Sequence, residues 1–275
     1  MPSAPGARGR SARRPRVAPL SVRPGALALV AAVLGLAAGA AGQSPDLAVG
    51  ERVFRDNCAV CHGAAGDGQG MAAHHFKYQP RDLTKGRFKF RSTASGQIPT
   101  DADLARTIVQ GIPSTGMVPQ NHLSEAELQA VIAFVKSLSP RFAAGPPPKL
   151  VAIPAAPPPT AEAVARGASV YVKGQCVECH GKEARGDGPS AKDLSIKPSD
   201  LTRRPLKSGS TARDIVRTLL TGLDGTPMPS YYQVLEDDEL WDLAYWLAAR
   251  GGAPETTDDE RAGWHVVQMH QRRSR

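Results

Sequence analysis

Aromatic residues are scarce in this chain, at 5% of 275 residues. The length fits one large domain or two ordinary ones of roughly 100–150 residues. So few aromatics are thin for two cores built from side chains alone, and something else is expected to fill the interior. An excess of positive charge is also missing where a nucleic acid would need it. The formal net charge is +8, but Arg8, Arg10, Arg13, Arg14, Arg16 and Arg23 fall in the first 24 residues, which hold no acidic residue. Beyond them 28 basic residues face 26 acidic ones, with 10 against 9 over 43–140 and 12 against 13 over 161–250. Neither half has the basic face that phosphate backbones require, which disfavours DNA or RNA as a partner. With 41% apolar and 22% charged residues, the composition is neither that of a polytopic membrane protein nor that of a disordered acidic chain.

The basic residues near the start precede an apolar stretch, Gly25 to Gly42, rich in Ala and Gly. A positive region, an apolar region and small residues at the end make residues 1–42 a secretory signal peptide, with cleavage expected near Ala40–Gly42. The uncharged span from Arg23 to Asp46 is also long enough for an uncleaved anchor. Arg13-Arg14 is followed by Pro15-Arg16 rather than an apolar pair, which favours general export over a twin-Arg route. The expected address is the periplasm, free or anchored to the inner membrane.

Cysteine is limited to four residues, placed as Cys58-Ala-Val-Cys61-His62 and Cys176-Val-Glu-Cys179-His180. Two disulfides, a redox CxxC pair or a zinc knuckle would use such cysteines. None of these explains a His after both pairs. C-x-x-C-H is the attachment site of c-type haem, in which two thiols fix the vinyl edge and the adjacent imidazole reaches the iron. Two haem c groups are therefore expected.

Counted from each His, the halves are one repeat. Gly50, Val53 and Phe54 precede the first motif as Gly167, Val170 and Tyr171 precede the second. Gly66-Asp67-Gly68 and Gly186-Asp187-Gly188 follow as turns. Pro80 and Pro198 each lie 18 residues past the His. Amphipathic helices are expected from Asp103 to Gly111 and from Asp214 to Gly222. A last helix follows in each half, opened in the first by the capping box Ser124–Glu127, with Phe134 and Trp246 at matching places.

Six residues beyond each stopping Gly stands a methionine, Met117 and Met228. A second axial ligand is needed opposite the His, and Met in that role raises the reduction potential. The axial pairs are read as His62 with Met117 and His180 with Met228. Rival ligands in the first half are His74, His75 and His122. His74-His75 has no counterpart in the second half.

From Leu47 to Arg250 the sequence resembles two tandem class I cytochrome c domains. The resemblance implies an all-α fold with a helical domain wrapped around each covalently bound haem. It also implies a crossing of first and last helices, with Gly50 and Phe54 against Phe134, and Gly167 and Tyr171 against Trp246. A backbone carbonyl should hold each axial imidazole; Pro80, Pro189 and Pro198 are nearby, and that contact stays unassigned. The expected organisation is domain 1 over 47–140, a Pro-rich linker over 141–160, domain 2 over 161–250, and a charged, disordered tail over 251–275, with a short docking helix at Trp264, His265 and Met269 as the alternative for that tail.

The copies differ in His-to-Met spacing, 55 residues against 48. The first has an added stretch, Phe88 to Thr100, in a region where Lys85, Arg87, Lys89 and Arg91 form a basic strip. Such a strip reads as a solvated face, with haem propionates or an acidic partner as the alternative. The leading functional expectation is an electron carrier without catalytic residues. It would pass single electrons from a quinol-oxidising complex or dehydrogenase to an oxidase or reductase. A dihaem peroxidase with one open haem, near His74-His75, is the rival from another class. A cytochrome subunit of a membrane complex would keep the same chemistry.

Overall fold

The protein's structure, a computed structural model, describes residues 45–144, 146–252 and 257–273. The signal-peptide reading lies outside the described residues. Among them no helix is long and apolar enough to cross a membrane.

Each half is built from the same helices for the same local reasons. Helix α1 (Leu47–Asn57) starts where Asp46 Oδ1 accepts from the Ala48 and Val49 amides. It runs into α2 (Ala59–His62), which carries the cysteine motif and stops at Gly63, φ +78. Helix α3 (Asp101–Gln110) opens on a capping box between Thr100 and Asp103 and ends at Gly111, φ +67. Helix α4 (Glu125–Ser137) opens on the box between Ser124 and Glu127. The second half repeats this as α5 (Ala161–Lys173), α6 (Cys176–His180), α7 (Ala212–Thr221) and α8 (Asp237–Ala249). It differs by one extra residue before its motif, where Gln175 adopts φ +56.

The helix crossing follows from two glycines. A Cβ on Gly50 would stand 2.1 Å from the Ala130 carbonyl oxygen, and one on Gly167 would stand 2.2 Å from that of Asp242. Only a bare Cα lets α1 meet α4, and α5 meet α8, this closely. The aromatics flank the crossings as expected: Phe54 and Phe134 have ring centroids 5.2 Å apart, Tyr171 and Trp246 4.7 Å. Val131 and Ile132 centre one core, Leu243 and Ala244 the other.

The basic strip is not a single solvated face. Arg91 is fully buried, donating to the Thr221 carbonyl at 2.7 Å and pairing with Asp224 of the second half at 2.9 Å. Lys85 and Arg87 are exposed as expected, whereas Lys89 is half-buried. The charge pattern alone misplaces Arg91 because its acidic partner lies more than a hundred residues away. Its own stretch is tied down by Asp103, whose buried carboxylate accepts from Ser92 N and Oγ, both at 2.9 Å.

The Pro-rich segment is stitched to both halves. Ala94 N donates to the Lys149 carbonyl and Val151 N to that of Ser92. Val151 and Ile153 pack on the second core, and Tyr245 Oη donates to the Pro157 carbonyl at 2.5 Å. The tail, expected to be disordered over 251–275, instead forms helix α9 (Asp258–Arg273). Its start has its own box, in which Glu260 accepts from the Thr257 amide. This is the docking-helix alternative at Trp264, His265 and Met269, and contacts with the first domain hold it.

Candidate haem sites

The cysteine motif sits on a short helix whose exit is fixed by backbone hydrogen bonds. Gly68 N donates to the His62 carbonyl at 2.8 Å and Gly186 N to that of His180 at 2.9 Å. Gly70 N and Gly188 N reach the carbonyls of Cys61 and Cys179, both at 3.1 Å. The turn register therefore differs from the one the motifs suggest: Gly68 matches Gly186 and Gly70 matches Gly188, so the two Gly-Asp-Gly strings are offset by two residues. Ala184, φ +59, stands where the first copy has Gly66, φ +72.

The contact left open by the sequence is settled by geometry. His62 Nδ1 lies 3.0 Å from the Arg81 carbonyl oxygen, and His180 Nδ1 lies 3.0 Å from that of Ser199. The acceptor is the residue after Pro80 and Pro198 rather than the prolines themselves. The signal was available: the same offset from each His brings Pro, one residue, then Asp. Asp82 and Asp200 fix that turn by accepting from Thr84 and Thr202. A carbonyl can only accept, so Nδ1 carries the proton and Nε2 keeps its lone pair. Burial lowers both imidazoles' pKa, the carbonyl contacts opposing it, which favours the neutral, ligating form.

The methionine loops are also built alike. Ile112 N donates to the Met117 carbonyl at 2.8 Å and Leu223 N to that of Met228 at 3.2 Å. Thr115 Oγ1 accepts from Met117 N at 3.2 Å, and Thr226 Oγ1 from Met228 N at 3.1 Å. Both methionines are half-buried and pack on their own core.

In the first half, His62 and Met117 line one cavity of ≈ 210 Å³, with Cys58 and Cys61 in its wall. Apolar side chains such as Phe54, Leu104 and Val131 line the remainder, and Arg81 and Lys89 add positive charge. This donor set fits a flat, apolar group with anionic edges and one covalently held side. In the second half Cys176 is buried beside Tyr231, whose Oη donates to the Gly174 carbonyl at 2.9 Å. Tyr171 Oη donates to the Gly181 carbonyl at 2.8 Å, a tie its counterpart Phe54 lacks the hydroxyl to make.

No disulfide joins any of Cys58, Cys61, Cys176 and Cys179. Burial and the neighbouring Cys61 push the Cys58 thiol up to about 12, and burial pushes Cys61 up to about 11. No group of three or more His, Cys, Asp or Glu is placed to hold a metal ion among the described residues. The rival histidines are elsewhere. His74 and His75 are exposed with ring centroids 3.9 Å apart, and exposed His122 lies 3.1 Å from Asn57 Oδ1. None of the three lines the cavity that holds His62.

These duplicated helices, motifs and loops define a helical c-type electron-transfer protein. Residues 47–139 match the family described as cytochrome c, and residues 162–247 the family described as cytochrome c oxidase, cbb3-type, subunit III. A chain of the reducing HAO-like protein complex of Kuenenia stuttgartiensis is 38% identical with a TM-score of 0.72. That similarity covers 74% of this chain and 96% of that one. The cbb3-type cytochrome c oxidase subunit CcoP of Azospirillum brasilense is 27% identical over 75% of this chain and 62% of its own length. Subunit FixP of Azorhizobium caulinodans is 27% identical over 74% of this chain and 60% of its own. The chain thus spans about three-fifths of the length of these curated relatives. It belongs to the tandem class I cytochrome c proteins.

Proposed function

We propose that the chain is an exported dihaem cytochrome that carries single electrons between respiratory redox proteins. Cys58 and Cys61 would hold one haem c through thioether bonds, and Cys176 and Cys179 the other. His62 with Met117, and His180 with Met228, would supply the axial donors. The carrying observation is the repeat: each half fixes a His by a backbone carbonyl at 3.0 Å and presents one methionine from an equivalent hydrogen-bonded loop.

Haem c, when bound, supplies an iron that alternates between Fe(III) and Fe(II). The chain's own residues orient and tune. The carbonyls of Arg81 and Ser199 hold the imidazole tautomer that leaves Nε2 available. Thioether sulfur is a neutral donor that favours the reduced form and raises the potential. With haem bound, apolar walls such as Phe54, Leu104 and Val131 would limit water in the first cavity. His62 with Met117, and His180 with Met228, would leave neither iron a position for substrate, so the role would be electron transfer rather than catalysis. Donors would be a quinol-oxidising complex or a dehydrogenase, and acceptors an oxidase or reductase. Similarity to CcoP and FixP supports a second reading of the address alone, as a cytochrome subunit of a membrane oxidoreductase complex.

Optical spectra of the dithionite-reduced protein with and without CO test this reading. An unchanged spectrum is expected. CO binding to one haem per chain would overturn the closed-carrier reading.

A further inference from the structure

Helix α9 reaches back to the methionine loop of the first domain. Ser114 N donates to Glu260 Oε1 at 2.7 Å, while Glu260 Oε2 takes the Thr257 amide at 2.7 Å. One carboxylate therefore caps its own helix and grips a loop 146 residues away. Buried Gly263 lies against Gly116: a Cβ there would stand 2.4 Å from the Gly116 carbonyl oxygen. One turn further along, Val267 forms part of the wall of the cavity that holds His62 and Met117.

The two loops differ at the positions α9 touches. Ser114 adopts φ +60, where the second copy has Gly225 at φ +75. A non-glycine residue is strained in that region and needs outside support. Gly116 stands where the second copy has Pro227. A Cβ on Gly116 would stand 2.3 Å from the Phe76 ring, so the loop has no room on that side either. Phe76 and α9 together hold the segment that ends in Met117.

We infer that Glu260 and Gly263 are positioning residues for Met117, and that α9 is a strap keeping the first domain's axial donor in place. The inference rests on the reading of Met117 as that donor. It makes the two sites unequal: closure of the first depends on a helix beyond the second domain.

The test uses the holoprotein with E260A, G263L, the conservative E260Q, and M117A as reference. Exchange of the Ser114 amide hydrogen is followed together with CO binding to the reduced protein and the sulfur-to-iron band of the oxidised protein. E260A and G263L should speed Ser114 exchange by about tenfold, the worth of one charge-assisted hydrogen bond. They should also open one of the two haems to CO and weaken one sulfur-to-iron band. E260Q keeps one acceptor oxygen, enough for the Ser114 amide or the Thr257 amide but not both, and should fall between the parent and E260A. If M117A opens one haem while E260A and G263L stay closed with slow Ser114 exchange, the strap is wrong and the axial reading stands. If M117A changes neither band nor CO binding, the axial reading falls and the strap falls with it.

Discussion

Arg91 and Asp224 meet at 2.9 Å across the boundary between the two cytochrome domains, with the guanidinium fully buried. Arg91 also donates to the Thr221 carbonyl, and Gly96 N donates to the same Asp224 oxygen at 3.2 Å. The stretch added to the first copy is thereby the element that locks it to the second. Removing one partner of a buried pair leaves the other desolvated and unmatched. R91A is expected to lower stability by about 3–5 kcal/mol in urea unfolding. D224A in the same background should cost much less than it does alone; additive losses would show that the pair does not couple the domains.

Asp103 anchors that stretch through its carboxylate. Burial alone would raise its pKa, but hydrogen bonds from the Ser92 and Thr100 amides and from Arg106 hold it below the ordinary value. A lowered folded-state pKa stabilises the fold above the unfolded value and is lost as pH falls through the folded one. D103N should therefore destabilise by about 1–3 kcal/mol at pH 7. Its deficit should shrink on acidification below about pH 4, the ordinary aspartate range. Chemical denaturation at a series of pH values measures this, and a pH-independent deficit would contradict it.

Gly50 and Gly167 set the helix crossings. G50A and G167A each place a methyl about 2 Å from a backbone oxygen, which only movement of a helix can relieve. Each is expected to cost about 1–3 kcal/mol or more by overpacking. G252A makes a control, since its nearest neighbour would be 3.5 Å away. Thermal unfolding should separate the two crossings from the control by several degrees.

Met117 and Met228 should each respond to replacement by His. The second imidazole removes the thioether that favours the reduced form, so the potential of one haem per variant should fall. Axial donors span about 0.8 V across haem proteins, and the drop should be a readily measured part of that range. Redox titration of M117H and M228H would show one component moving while the other stays. Movement of neither would dissociate these methionines from the iron.

Much of the chemistry was legible because it is local. The proposed haem residues Cys58, Cys61 and His62, with Cys176, Cys179 and His180, stand out by spacing alone, and duplication singles out Met117 and Met228 from five methionines as the proposed second ligands. The helix start at Ser124 follows from a side chain three residues from its partner, whereas caps at Thr100 and Thr211 begin their helices two residues ahead of the expected Asp103 and Asp214. Identical letters align the two Gly-Asp-Gly strings, whereas backbone hydrogen bonds count residues from the His and pair Gly68 with Gly186.

What the sequence by itself determined was the repeat, its helical period, the c-type motif and the paired methionines, all governed by neighbours within a few turns. The tertiary structure alone decided which carbonyls hold the imidazoles, that Arg91 is buried rather than solvated, and that the tail is the helix behind Met117. Those outcomes depend on partners 19, 130 and 146 residues distant. A charge or a carboxylate carries no mark of its partner until packing removes the water between them.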